Sequence, residues 1–374
     1  MNLTDLANEY GQFYAPAFRI VVSGRDLVRD DLVAVSEVEA DLVLGGTGNF
    51  SFTIVNSFHD DAHAFLTGTG QPLFGLLTFG AQVDIYMGYG DLQASDPSSA
   101  TIRGMITEVT TGFAEGGAPE VTVHGQDSGF PLTVGKNTGS WQQKTDSDVA
   151  SLIATNSNLD SIIVSTSETR AQIEQNQESD FEFLQKLATR NSFQVYIRNK
   201  TLYFGPPDAT RDGILTLNWG QSLLAFKPQM NLASQVAAVE VHAWDVQNNQ
   251  AIVGRADAGD EDMRNPNESS GGQYLQQILP RKPTLILRQP AFTQAEADSR
   301  AKGALNERAQ EFVTGEGETI GLPELLPDTN ITLGQLGTPF SRTYYVEKTT
   351  HKVDGSGYRT RFSVKATTIQ GSPT

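Results

Sequence analysis

Residues 329–368, TNITLGQLGTPFSRTYYVEKTTHKVDGSGYRTRFSVKATT, can be laid beside VDIYMGYG (83–90) followed by RGMITEVTTGFAEGGAPEVTVHG (103–125). Both read as strand, loop, strand, glycine-rich hairpin, strand, and local letters recur, TEVTTGF beside VEKTTHK and PEVTVHG beside TRFSVKA. The repeat predicts a duplicated β-barrel, interrupted by an α/β insertion.

Alternation supports the strands. Phe18, Ile20 and Val22, then Phe50, Phe52 and Ile54, then Val83, Ile85 and Met87 each place apolar side chains on one face of an extended chain. After a short N-terminal arm (1–14), residues 15–136 read as the first barrel. Texture changes beyond Gly135. Thr145 with Asp148 three residues on, and Ser179 with Glu182, have the spacing of helix N-caps, and QVYIRNKTLYFG reads as two strands around Asn199-Lys200. This predicts a small α/β domain over 137–222. Strands resume over 223–374 as a second barrel, with an exposed acidic insertion near 254–273 and a helix near 293–312 capped by Thr293. The fold class expected is mainly β with an α+β insertion.

Composition narrows the chemistry. With 44 acidic against 27 basic residues and a formal charge of −17, the chain is a poor partner for nucleic acid, which requires Lys and Arg to displace counterions. The absence of cysteine rules out disulfides and thiolate metal sites. No run of apolar residues is long enough to insert in a membrane, and the N-terminus lacks a signal-peptide pattern, so assembly in the cytoplasm is expected.

Three acids in QESDFEFLQKLA (177–188) raise the question of catalysis. Ser179 three before Glu182 fits a capping box, Asp180 falls in the first turn where the helix dipole favours an anion, and Phe181, Leu184 and Ala188 form a buried stripe. These acids start a helix. His59-Asp60-Asp61-Ala62-His63 lacks the zincin order and reads as a polar turn, and Gly45-Gly46-Thr47-Gly48 lacks the ending of a phosphate loop. Trp141, Trp219 and Trp244 are scattered, with core or interface packing the default. No catalytic, cofactor or metal residues are assigned, and the chain is expected not to be an enzyme.

Several segments together resemble one family: APAFRIVVSG, VDIYMGYGD, RGMITEVTTGF, KTDSDVASLIA, QNQESDFEFLQKLATRNSFQVYIRNKTLYFG and GLPELLPDTNITLGQLGTPFSRTYYVEKTTHKVDGSGYRTRF. They are similar to the phage late control D family of baseplate hub proteins and to the hub part of VgrG-like spike proteins. That resemblance implies two tail-tube-like barrels per chain and a homotrimer that adapts a sixfold inner tube to a threefold spike in a phage tail or contractile injection particle. Implied partners are the inner tube protein, a separate spike protein, since this chain stops at GSPT, and baseplate wedge or LysM-type proteins. Tyr344, Tyr345, His351, Tyr358 and Arg359, in the second-ranked matching hairpin, are the expected interface residues. A glycan-cleaving tail enzyme and a carbohydrate-binding adhesin are the competing readings.

Overall fold

The computed structural model describes residues 3–92, 96–113, 115–207, 212–245, 249–262, 267–291 and 293–370. Strand accounts for 47% and helix for 19%, so the fold is mainly β. Helix α1 (Leu3–Glu9) leads into β1 (Pro16–Val22), β2 (Ala34–Val43), β3 (Asn49–Val55), β4 (Gln82–Tyr89), β5 (Ile102–Gly112) and β6 (Glu120–Asp127). The middle segment holds β7 (Asn137–Lys144), α2 (Asp146–Asn156), β8 (Asp160–Ile163), β9 (Arg170–Glu178), α3 (Asp180–Arg190), β10 (Gln194–Arg198) and β11 (Thr201–Gly205). Then come β12 (Leu215–Asn218), β13 (Leu223–Met230), β14 (Ala238–Asp245), β15 (Gln250–Asp257), α4 (Gly271–Ile278), β16 (Thr284–Arg288) and α5 (Gln294–Gln310). The chain finishes with β17 (Val313–Ile320), β18 (Asn330–Gly334), β19 (Arg342–Asp354) and β20 (Gly357–Ala366).

A 13-stranded sheet runs through most of the molecule. Its first half orders as β1-β4-β5-β6-β3-β2, and its second as β12-β18-β19-β20-β17-β13, the thirteenth strand being the two-residue Arg25–Asp26 paired on β1. Paired off in chain order, β1 with β12, β2 with β13, β3 with β17 and so on, the two orders are the same. One difference stands out: β1 and β4 are antiparallel, whereas β12 and β18 are parallel. Each half has its own core. Ile20, Phe50, Phe52, Ile54, Ile85 and Val123 pack in the first, and Leu217, Leu223, Ile331, Leu333, Tyr344 and Phe362 in the second.

The middle segment packs a third core, in which Phe183, Leu184 and Leu187 of α3 meet Val149, Ile153, Val195 and Phe204. Trp141 stacks on Phe183 with ring centroids 5.4 Å apart. A fourth core lies inside the segment expected to be one barrel. There β15-β14-β16 form a separate three-stranded sheet covered by α5, burying Val239, Val241, Ile252, Ala297, Ala301 and Leu305. The helix lies so close that a Cβ on Gly254 would stand 2.1 Å from the carbonyl carbon of Ala297. Small side chains therefore set this contact, and burial here depends on close backbone approach rather than on large apolar groups.

The expected exposed insertion at 254–273 needs correction. Residues 250–257 are strand β15, α4 begins at Gly271, and Glu261, Glu268 and Ser270 are buried. Low hydropathy misled because the burial is polar. Glu268 is clasped by Arg342 and accepts from Thr368 Oγ1 at 2.6 Å, while Ser270 and Gln273 form a reciprocal capping box. Residues 263–266 of that stretch lie outside the described residues.

Buried ion pairs tie the third core to the fourth. Arg170 reaches Glu296 of α5 at 2.9 Å, Asp146 of α2 at 3.5 Å and Glu168 at 3.1 Å, while Arg190 clamps Asp146 and Arg300 binds Glu296 at 2.8 Å. Removing one member would strand a buried charge, so the network fixes how these units sit together.

Candidate assembly interface

The predicted helix caps are present. Glu182 N–H donates to Ser179 Oγ at 3.2 Å, and Ser179 N–H donates to Glu182 Oε2 at 2.7 Å. Lys136 at 2.6 Å, followed by the Ser179 amide, holds the Glu182 carboxyl down to about 2. Asp180 accepts from Asn137 and Gln175, at 2.9 and 2.8 Å. All three side chains are spent on local order. Thr145 with Asp148 repeats the reciprocal box, whereas Thr293 caps α5 without reciprocation because Glu296 turns to the two arginines. His59 sits in a two-residue β-pairing with Ala64, and His63 has a positive φ of 46°, so the two histidines do not share a helix face. Among the described residues no group of three or more His, Asp or Glu side chains converges as a metal site.

The two halves of the sheet join where β2 pairs antiparallel with the second part of β19, from Lys348 opposite Val43 to Val353 opposite Val38. Lys348 stands 3.4 Å from Asp41, Lys352 stands 2.9 Å from Glu37 and 3.9 Å from Glu39, and Thr350 Oγ1 donates to Asp41. Cations lie on β19 and anions on β2. Val353 and Tyr358 cross the seam and enter the core of the first half.

His351, fully buried, sits in the middle of this seam. Its Nε2 is 3.0 Å from the Leu325 carbonyl, which can only accept, so Nε2 carries the proton and Nδ1 accepts from the Tyr358 hydroxyl at 2.8 Å. Burial drives the imidazole down to about 4. Beside it, Tyr89 OH donates to the Gly321 carbonyl at 2.8 Å and Tyr10 OH donates to Glu324, so the N-terminal arm and β4 both brace the seam. Tyr345 OH and Tyr196 OH converge on Asp328 at 2.7 and 3.0 Å, which docks the middle segment against the second half.

Four of the five expected interface residues thus serve contacts inside the chain. Tyr344, Tyr345, His351 and Tyr358 are buried, and only Arg359 keeps partial exposure. Their hairpin reads as an interface because it is one, but between the two halves of a single chain. Missed in the sequence are the acids on β2, Glu37, Glu39 and Asp41, whose alternation with Val38 and Ala40 was the available signal.

The duplication extends to β-bulges. The β2–β3 register shifts between Val35 and Glu37, and the corresponding β13–β17 register shifts between Leu223 and Ala225. Likewise β5–β6 shifts between Ile106 and Glu108, and β19–β20 between Val346 and Lys348. Hydrogen bonds confirm the alignment, because Ile106 exchanges both backbone bonds with the 80–81 segment as Val346 does with 328–329. What differs is coverage. In the second half β19 takes β2 on its outer edge, whereas among the described residues no strand pairs with β5 beyond Ile106 on that side, nor with the outer edge of β13.

Comparison with solved structures shows the fold of phage tail proteins. The 43 kDa tail protein of prophage MuSo2 from Shewanella oneidensis is similar at a TM-score of 0.69 and 13% identity, covering 94% of this chain and 98% of that one. A tail protein from Neisseria meningitidis MC58 gives 0.68 and 13%, covering 94% and 97%. The E. coli c3393 protein, a component of the type VI secretion system described as structurally similar to the T4 tail proteins gp27 and gp5, gives 0.54 and 11%, covering 93% and 76%. Residues 75–355 match the family described as the Alg8 N-terminal domain, and the chain belongs to that family. Its description names a domain and no activity. No curated protein matches the sequence.

Proposed function

We propose that this protein is a structural hub of a phage tail or contractile injection particle, a homotrimer that joins a sixfold inner tube to a threefold spike. One observation carries the reading. A single chain holds two halves of the same strand order side by side in one sheet, so three chains present six similar units around an axis. A threefold object so built offers sixfold contacts on one face and threefold contacts on the other. The tail-protein fold supports the same role, as does the commitment of the conspicuous acids to helix caps and ion pairs. Proposed partners are the inner tube protein, a separate spike protein, and wedge or LysM-type baseplate proteins. Assembly in the cytoplasm is part of this proposal, as is the domain division at 14, 136 and 222.

Absolute mass by light scattering, over a dilution series and with the spike protein added, tests it. A threefold mass supports the hub. A monomer that recruits no spike at any concentration overturns it.

A further inference from the structure

Resting on the trimeric reading, we infer that the open edge of β13 in one copy docks antiparallel on the outer half of β5 in the next copy, in the register of the internal seam.

The seam is the template. Aligned by their bulges, β5 corresponds to β19 and β13 to β2, so the pairings Thr349–Leu42, Thr350–Asp41, His351–Ala40, Lys352–Glu39 and Val353–Val38 carry over. They become Val109–Met230, Thr110–Gln229, Thr111–Pro228, Gly112–Lys227 and Phe113–Phe226. Exposure agrees with an edge awaiting a partner. Val353 is 5% exposed in the seam, whereas its counterpart Phe113 is 67% exposed, and Met230 is 44% exposed where Leu42 is half-buried. Phe113 meets Phe58 and Phe65 edge-on yet stays largely exposed, and with Leu224 and Met230 it leaves apolar surface along two unpaired edges, an aggregation hazard that a specific partner removes.

Backbone alternation fits as well. Asn231 N–H donates inward to Phe312, so 229 and 227 also face β17, while 226, 228 and 230 face outward. The missing N–H of Pro228 therefore breaks no bond within its own sheet. In the proposed pairing the same outward-facing proline leaves the Thr111 carbonyl without its donor, so this junction makes one hydrogen bond fewer than the seam, where Ala40 holds that place.

Charge decides which edge meets which. At the seam the cations are on β19 and the acids on β2; on the open edges the signs are exchanged, with Glu108 and Glu120 on β5 and β6 and Lys227 on β13. Gly112, opposite Glu120, carries no side chain, which lets Lys227 of the next copy reach across it to Glu120. Pairing β2 with β5 of another copy would set Asp41 beside Glu108 and Glu39 beside Glu120, a like-charge penalty that keeps the internal and external junctions separate. The contact is head-to-tail, and a fixed rotation at each step closes it into a ring.

Disulfide trapping tests the register, and the chain contains no cysteine to interfere. Thr110 and Gln229 form a non-hydrogen-bonded pair, with Cα atoms about 4.5 Å apart, within bridging range. Oxidised Thr110→Cys/Gln229→Cys protein should give a reducible ladder ending at one closed species, which neither single variant gives. Should that variant melt early, Glu108→Cys/Asn231→Cys tests the same register. The off-register control is Glu108→Cys/Lys227→Cys. A threefold mass with no ladder, or with equal cross-linking by the control, overturns this edge and leaves the trimer standing. Covalent dimers from a single variant mean an isologous contact and also overturn it. A monomeric mass with no ladder removes both the trimer and the edge.

Discussion

Strands β5 and β19 have the same place in the two halves, the same bulge and equivalent partners on one side, yet Phe113, just past the end of β5, is exposed and its counterpart Val353 in β19 is buried. Topology was copied; coverage was not. Duplication gives two sticky edges and two acceptors, and the chain satisfies one pair internally. Its charges then distinguish that pair from the pair left open. An edge strand in a duplicated sheet is thus best read against its twin, because the covered copy shows what the open copy lacks.

The comparison can be broken at the covered copy first. Tyr358→Ala empties a fully packed position in the seam and should cost ~3–5 kcal/mol in denaturant unfolding. If the loss were under ~1 kcal/mol, the seam would not be the integral contact described. Next comes pH. His351 is held near 4 against an ordinary 6.5, so it favours folding above pH 6.5, and that contribution disappears as pH falls towards 4, on the order of 3 kcal/mol in all. The drop should show in melts between those limits and flatten in His351→Gln; an unchanged slope would mean that the imidazole titrates freely. Asp127 runs the other way. Burial raises its carboxyl to about 7, against hydrogen bonds from Gly48 and Gly129, so its contribution is full below pH 3.8 and lost as pH rises through about 7.

Smaller effects sharpen the contrast. Ser179→Ala removes one half of a capping box and should cost ~0.5–2 kcal/mol without touching assembly. Phe113→Ser should cost ~0.5–1.5 kcal/mol in the melting of the isolated chain, through its edge-on contacts with Phe58 and Phe65, while weakening self-association in light scattering beyond that loss. Association left intact would show that the open edge is idle.

Much of this was legible in the sequence, and the reason is local. Alternation in NFSFTIV and EVTVHGQ, and the Ser179–Glu182 and Thr145–Asp148 spacings, write strand faces and helix starts directly into neighbouring letters. The 329–368 repeat identified the strands that occupy equivalent places. The fourth core was hidden because Gly254, Ala297 and Ala301 bury backbone rather than bulk, and Ser270 with Gln273 was an unread capping signal inside an acidic stretch. The seam was half visible: its hairpin looked like an interface, but pairing β2 with a strand so distant in sequence has no local signature.

That distance has a consequence for synthesis. Residue 43 meets residue 348, so β2 waits for roughly three hundred residues before its covering strand exists. At translation speeds of ~5–20 residues per second the wait is about 15–60 s. During that interval many nascent chains on one message hold the same naked edge within reach of one another. Glu37, Glu39 and Asp41 then act before any seam is made: identical edges repel, and β2 is held unpaired until the lysines of its own β19 arrive.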